Sequence, residues 1–421
     1  MLLERLQLGA FKYFTECCNT DTGLVADTSR PGSVCSIAVV GFALSCYPIG
    51  VQRGWMKRRD ARARTLRTLR FFHASAQGQE ADATGHKGFY YHFLDMSRGC
   101  RVWQCELSLI DTALLQAGFH LAALYFDGGG EEAAIRALSE ELLDRTDWAW
   151  ALTDLQTLAQ GWKPETGFLH YGWEGYNEAT ILYLLAIAST NHSIPAQSFD
   201  RWKFSYQWEN LLGIDTLYSG PLFTHLFSHA WIDFRGIQDQ FMRDVDFDYF
   251  RNTQSAVGIQ REYAARNPRG FAAYGRDLWG ITAGDGPSDA DKTLYPRDRR
   301  FYGYMSRGVP FGPDDGTIAP WAMLATLPFC ADAALSGTRH LLARFPEICS
   351  NDRFSSGFNP GTVAGSGPWI SEGWYGLDQG LLVMMIENYR SGLIWELTRR
   401  SPLLTRGLKG AKFAGGWLNA A

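Results

Sequence analysis

No stretch of this 421-residue sequence stays apolar long enough to cross a bilayer as a helix. The best run, Ile318 to Leu335, is interrupted by Pro320, Pro328 and Asp332. The first residues, Met1-Leu2-Leu3-Glu4-Arg5-Leu6, lack the charged-then-apolar pattern of an export signal, so the expectation is a cytoplasmic protein, or a mature or trimmed form of a periplasmic one. Cysteine is scarce: eight residues, no CxxC and no Cys–His pair at zinc spacing, which excludes a disulfide scaffold and a zinc finger. Cys17, Cys18, Cys35, Cys46 and Cys330 lie in helical or apolar stretches and read as core thiols. The nine histidines are scattered, and neither Gly275-Arg276-Asp277 nor Gly284-Asp285-Gly286 has calcium-loop spacing. No metal is therefore expected. A formal net charge of −4 argues against a phosphate-backbone binder, so neither nucleic acid nor membrane is an expected partner. There is no GxSxG, P-loop or Rossmann fingerprint in a strand–helix setting.

What is abundant is aromatic: 15 Trp, 18 Tyr and 26 Phe, many beside Gly in apparent loops. The apolar and charged fractions, 46% and 20%, are those of an ordinary globular protein. Helical periodicity dominates, with helices expected near 3–18, 34–47, 56–75, 108–126, 130–147, 175–189, 205–212, 238–266, 318–334, 337–345 and 377–399. The longest loops, about 78–105, 148–174, 268–316 and 350–376, exceed the usual connection length, which in a compact helical protein points to function. No composition shift marks an internal boundary, so residues 1–421 are read as one domain. Hairpins with short turns on one side and long loops on the other suggest an all-α, closed (α/α) toroid of two helix layers, with a multi-domain helical array as the fallback.

Glu178 is the first candidate catalytic group. In Gly175-Tyr176-Asn177-Glu178 it falls at the start of an apolar helix, where Asn177 could cap and the helix end favours an acid. Capping alone explains such an acid about half the time. Trp173, Tyr176 and His170 crowd the same turn, however, and a solvated cap needs no such wall. Glu106 and Asp111 form the second group. Ser108-Leu109-Ile110-Asp111 matches a capping box, which accounts for Asp111; Glu106 has no such explanation and ranks above it. Five positions along a helix are roughly 140° of rotation, so the two share a space only if Glu106 is pre-helical. Glu372 lies between Trp369 and Trp374, Asp378 reads as a cap, and Asp233 with Arg235 is an ion pair or a ligand clamp. Two carboxylates across a cleft suit glycoside hydrolysis, one protonating the leaving oxygen and the other activating water or attacking carbon. The acid must keep its proton, so Glu178 needs a desolvating wall or a second carboxylate to offset its own helix end.

In order along the chain, Gly88-Phe89-Tyr90-Tyr91-His92-Phe93-Leu94-Asp95, Glu106-Leu107-Ser108-Leu109-Ile110-Asp111-Thr112, Tyr176-Asn177-Glu178-Ala179, Gly376-Leu377-Asp378-Gln379-Gly380 and Ile386-Glu387-Asn388-Tyr389-Arg390 resemble the bacterial glycoamylase-like family. That family includes endo-β-1,2-glucanases and the transglycosylating domain of cyclic β-1,2-glucan synthases. The resemblance covers about residues 5–400. It implies an (α/α)6 barrel acting on β-1,2-glucan without a cofactor, usually with inversion in the hydrolases, and acids at Glu178 and in the Glu106/Asp111 segment. The expectation is an endo-acting, inverting β-1,2-glucanase releasing sophorooligosaccharides. Glu178 would be its acid, Glu106 its base and Asp111 a support, with Trp173, Tyr176, Tyr91, His92, Trp231 and Trp374 as subsites and Arg30 binding a hydroxyl. A retaining transglycosylase, a non-catalytic glucan binder and a polysaccharide lyase are the alternatives. Carboxyl separation bears on the first, about 5–5.5 Å for retention and about 6.5–9.5 Å for inversion.

Overall fold

A computed structural model describes residues 2–288, 300–361 and 367–419. The stretches 289–299 and 362–366 of the loops expected at 268–316 and 350–376 lie outside the described residues. The chain alternates between an outer and an inner layer. Helix α1 (Leu2–Glu16) lies outside and α2 (Ile37–Gln52) inside; α3 (Arg58–Ala74) outside and α4 (Leu109–Tyr125) inside; α5 (Glu131–Asp144) outside and α6 (Thr180–Ala188) inside; α7 (Gln197–Trp202) outside and α8 (Phe227–Trp231) inside. The short α9 (Gln240–Asp244) and the outer α10 (Tyr249–Arg266) lead to the inner α11 (Pro320–Ala325), and the outer α12 (Ala331–Arg344) leads to the inner α13 (Gly376–Arg390). Helices α14 (Leu393–Arg399) and α15 (Pro402–Gly410) follow, α15 packing on α6. The fold is an (α/α)6 toroid.

Sequence explains the layering. Every residue of α2 from Ile37 to Gly50 is buried, as are eight of nine in α6 and all of α8 and α11. A helix apolar all round has to sit inside. The outer α3 buries only Ala61, Thr65, Leu66, Thr68, Leu69 and Phe72, one stripe at helical spacing. Inner helices α2 and α4 meet backbone to backbone. A Cβ at Gly41 would stand 2.3 Å from the Leu114 carbonyl oxygen, and one at Gly118 would stand 2.3 Å from the Gly41 carbonyl oxygen. The ring closes where α13 packs on α1 and α2. There Glu387 accepts hydrogen bonds from Gln7 Nε2 at 2.9 Å and from Arg53 Nε and Nη2 at 2.8 Å each, and Thr28 bridges to Tyr375.

Four long loops enter α4, α6, α11 and α13 at their N-terminal ends, all on one side of the ring. Short turns such as 53–57 and 126–130 occupy the other. One wall of the loop side is a five-stranded antiparallel sheet, Gly85–His86, Phe89–Tyr91, Leu107–Ser108, Gly161–Lys163 and Gly167–Phe168 in that spatial order. The helix expected at 205–212 is instead a β-hairpin, Trp208–Leu211 with Ile214–Leu217. Its turn residues Leu212 and Gly213 have φ of 57° and 86°, the two positive values that a tight hairpin turn demands. The helix expected at 238–266 breaks at Val245–Asp248, with Asp246 at φ 49°, and the one at 377–399 breaks at Gly392, φ 73°. Among the described residues, no helix is long and apolar enough to cross a membrane.

Because the atoms facing Gly41 and Gly118 are backbone, they cannot move aside as a side chain would. Gly41→Ala and Gly118→Ala are each expected to destabilise the protein by about 1–3 kcal/mol, despite the helix-propensity gain of about 1 kcal/mol. Chemical denaturation measures this; an unchanged midpoint would mean that the α2–α4 crossing relaxes freely.

Candidate active site

The inner helices begin at one end of the ring, and a cavity of about 220 Å³ opens there. Glu178, Asp111, Asp378, His92, Tyr304 and Trp321 line it, with Phe223, Phe227, Ile110, Leu114 and Leu377 as its apolar walls. Glu178 precedes its helix rather than sitting inside it, since α6 starts at Thr180. Asn177 Oδ1 accepts from the Ala179 N–H at 3.0 Å, so the expected cap acts just ahead of the helix. The Ser228 hydroxyl of α8 donates to the Glu178 carbonyl at 3.0 Å and accepts from the Ile181 N–H at 3.1 Å. The backbone carrying Glu178 is thus pinned to the next inner helix. Burial pushes the Glu178 carboxyl up to about 7; its own backbone N–H pulls the other way, and the charge of Asp111 adds to the rise.

Asp111 and Glu106 exchange the ranks expected of them. Asp111, third residue of α4, takes the capping geometry with Ser108, whose Oγ accepts from the Asp111 N–H at 3.2 Å. The Ser108 hydroxyl also donates to Asp111 Oδ2. Asp111 faces the cavity nonetheless, so the cap does not use up the carboxylate. Glu106 is pre-helical but turned away, accepting from His92 Nδ1 at 2.8 Å, while His92 Nε2 stands 3.5 Å from Asp111 Oδ2. Burial would depress His92, but the charges of Asp111, Glu106 and Asp27 outweigh it and hold the imidazole up to about 9. The His92 hydrogen bond in turn holds Glu106 below the usual carboxylate range. Glu106, His92 and Asp111 form a line leading to the cavity, with an imidazolium in the middle.

Two further acids complete the site. Asp378, third residue of α13 as Asp111 is of α4, caps nothing. Its Oδ2 is buried without a hydrogen-bond partner among the described residues. Burial drives its carboxyl well above the ordinary range, helped by the charges of Asp27 and Asp285. Asp27 is pushed up to about 6, by burial first and by Asp111, against the opposing pull of His92 and Arg30. Arg30 forms an ion pair with Asp285 and donates to the Glu372 carbonyl at 2.9 Å and to Tyr375 Oη at 3.2 Å, stitching three loops of the rim together.

The structure withdraws two of the expected subsites. Trp231 is 1% exposed, donates its Nε1–H to Ser45 Oγ at 3.0 Å and packs on Phe42; it is a core residue. Tyr91 is wholly buried under the Arg101 guanidinium, 4.7 Å from its ring. Trp173, Tyr176 and Trp374 are half-buried, and none of them is among the side chains lining the cavity. Tyr176 stacks on Tyr249, and Trp374 lies under Arg353. Asp233 belongs to an ion-pair cluster with Arg235 and Arg399. Sequence reasoning missed Asp27, Tyr304, Trp321, Phe223 and Phe227. A Tyr or Phe in a loop carries no mark of facing a cleft, whereas Asp378 at the third helical position, matching Asp111, was a signal available in the sequence. Among the described residues, no cluster of His, Cys, Asp and Glu is arranged to hold a metal.

Residues 170–402 match the model of the Glycoamylase family, described as "Putative glucoamylase", and the chain belongs to that family. It is 26% identical, over 97% of its length, to an exo β-1,2-glucooligosaccharide sophorohydrolase (non-reducing end) of Parabacteroides distasonis, spanning 57% of that protein. In fold it is similar to an endo-β-1,2-glucanase from Chitinophaga pinensis solved with sophorotriose and glucose, with a TM-score of 0.85 and 24% identity over 99% of this chain and 98% of that one. It is equally similar to a β-1,2-glucanase from Parabacteroides distasonis, with a TM-score of 0.85 and 24% identity over 98% of this chain and 60% of that one.

A carboxyl raised in the folded state favours folding while it is protonated in both states, below about 4.5 for Glu178, and that contribution is lost as pH rises through about 7. Glu178→Gln should therefore exceed wild type in stability at pH 8 by on the order of 2 kcal/mol, with the two converging near pH 4. Thermal melts across pH check this; parallel curves would show that Glu178 is not desolvated.

Proposed function

We propose that this chain hydrolyses β-1,2-glucan, acting within the chain, releasing sophorooligosaccharides and inverting the anomeric centre. The observation that carries the reading is Glu178, a carboxyl raised to about 7 by burial in a cavity that it shares with Asp111. The names of the relatives supply the substrate class.

Glu178 acts as the general acid. Near neutral pH it still holds its proton and delivers it to the leaving glycosidic oxygen as the bond to the anomeric carbon lengthens. Asp111 acts as the base, taking a proton from the water that attacks the opposite face. His92 lends Asp111 positive charge on one side, and Glu106 fixes the imidazole through Nδ1, leaving Nε2 toward Asp111. Asp378, kept neutral by burial, donates a hydrogen bond to a sugar hydroxyl, and Tyr304, 60% exposed on the cavity wall, offers its ring to the pyranose. As water gives its proton to Asp111 and Glu178 loses its own to the departing sugar, the summed charge of the two carboxyls is conserved through the step.

Glu178→Gln and Asp111→Asn are each expected to lower kcat on β-1,2-glucan by about 10²–10⁴-fold. Wild-type activity should fall as pH rises through about 7, where Glu178 loses its proton. Product sizing on β-1,2-, β-1,3-, β-1,4- and α-1,4-glucans, with proton NMR of the first-formed anomer, tests the whole reading. Cleavage of another linkage alone would overturn the substrate, and retention would move the assignment to transglycosylation.

A further inference from the structure

Trp103 is 71% exposed, which is rare for the largest apolar side chain unless something covers it in use. Its backbone is in the left-handed region at φ 55°, and so is that of Gln104 at φ 51°. Two consecutive non-glycine residues held there cost free energy, and such strain gathers at ligand-binding loops.

The ring is also continuous with the catalytic cavity. The His92 imidazole lines that cavity and stacks on Phe93, with centroids 3.9 Å apart and planes 12° from parallel. Phe93 in turn meets Trp103 at 5.3 Å and 59°. Three rings thus run in contact from the cavity lining at His92 to solvent at Trp103. A cavity of about 220 Å³ takes only a short length of glucan, so a longer chain has to leave it along one of its walls. The apolar face of a pyranose is flat and matches an indole, and Trp103, at the solvent end of this row of rings, presents one.

We propose that Trp103 is a stacking platform for a glucose unit of β-1,2-glucan lying outside the catalytic cavity, favouring long chains over short ones. This rests on the glucan-hydrolase reading above. The platform takes no part in bond cleavage, so it acts on KM and leaves kcat unchanged.

The test compares Trp103→Ala and Trp103→Phe with wild type on polymeric β-1,2-glucan and on a sophorooligosaccharide just long enough to be cut. Because the side chain is exposed, thermal melts should coincide. Trp103→Ala is expected to raise KM for the polymer about tenfold, with kcat and the short-substrate KM unchanged, and Trp103→Phe should recover part of the loss. Equal KM values for wild type and Trp103→Ala on the polymer would overturn the platform while leaving the hydrolase reading intact. If wild type cleaves neither substrate, the hydrolase reading fails. Electrophoresis in gels containing β-1,2-glucan then decides on Trp103: retardation lost in Trp103→Ala supports the platform, and retardation equal to wild type, or absent from both, overturns it.

Discussion

The burial of six inner helices on nearly every side governs this molecule. Such helices can sit only within a ring of others, and the chain supplies those others with a single apolar stripe each. Once the inner helices run the same way, their first turns fall at one level, and every long loop must enter there. The amide N–H groups of those first turns find no partner within their own helices. A cleft lined by carboxyls at that level is a natural complement, and Asp111 and Asp378 occupy the same third position of their helices.

That complement is in tension with itself. A helix N-terminus favours the ionised carboxylate, whereas the apolar walls that shape the cavity favour the neutral acid. At Glu178 burial wins, and the negative charge of Asp111 tips the balance further. At Glu106, tied to an imidazolium away from the cavity, the ion pair wins. Two acids of neighbouring segments are thereby pushed in opposite directions, Glu178 up and Glu106 down.

The layered helical ring was legible because its signal is periodic and long. Inner helices such as α2 and α4 and outer ones such as α3 differ in composition over 16 or 17 residues, and the capping box at Ser108 marked the start of α4 to within one position. Short elements were not legible. The hairpin at 208–217 carries enough apolar residues to pass for a helix, and only the pair of positive φ values at Leu212 and Gly213 reveals it. Trp231 and Tyr91 show why aromatics mislead: an aromatic side chain reads the same in sequence whether it faces a cleft or a core. Glu178 stood out because apolar sequence surrounds it, while Asp27 and Asp378 passed as ordinary loop and cap residues. Which carboxyl faces the cavity depends on a hydrogen bond between Glu106 and His92, fourteen residues apart, and a strand register sets that, not a local motif.

The contacts that close the ring join residues from opposite ends of the chain: Gln7 reaches Glu387, 380 positions away, and Arg30 reaches Tyr375, 345 positions away. Bringing such distant segments together carries a loop-closure entropy of roughly 5 kcal/mol if the intervening chain is unstructured, and far less once the intervening hairpins have stacked. Folding is therefore expected to proceed around the ring hairpin by hairpin, with closure last. Asp27 and Asp378 lie on either side of that seam. During synthesis Asp378 joins Asp111 and Glu178 only after nearly the whole chain has emerged, so a partly made ring holds an incomplete cavity whose last wall arrives with the final docking step.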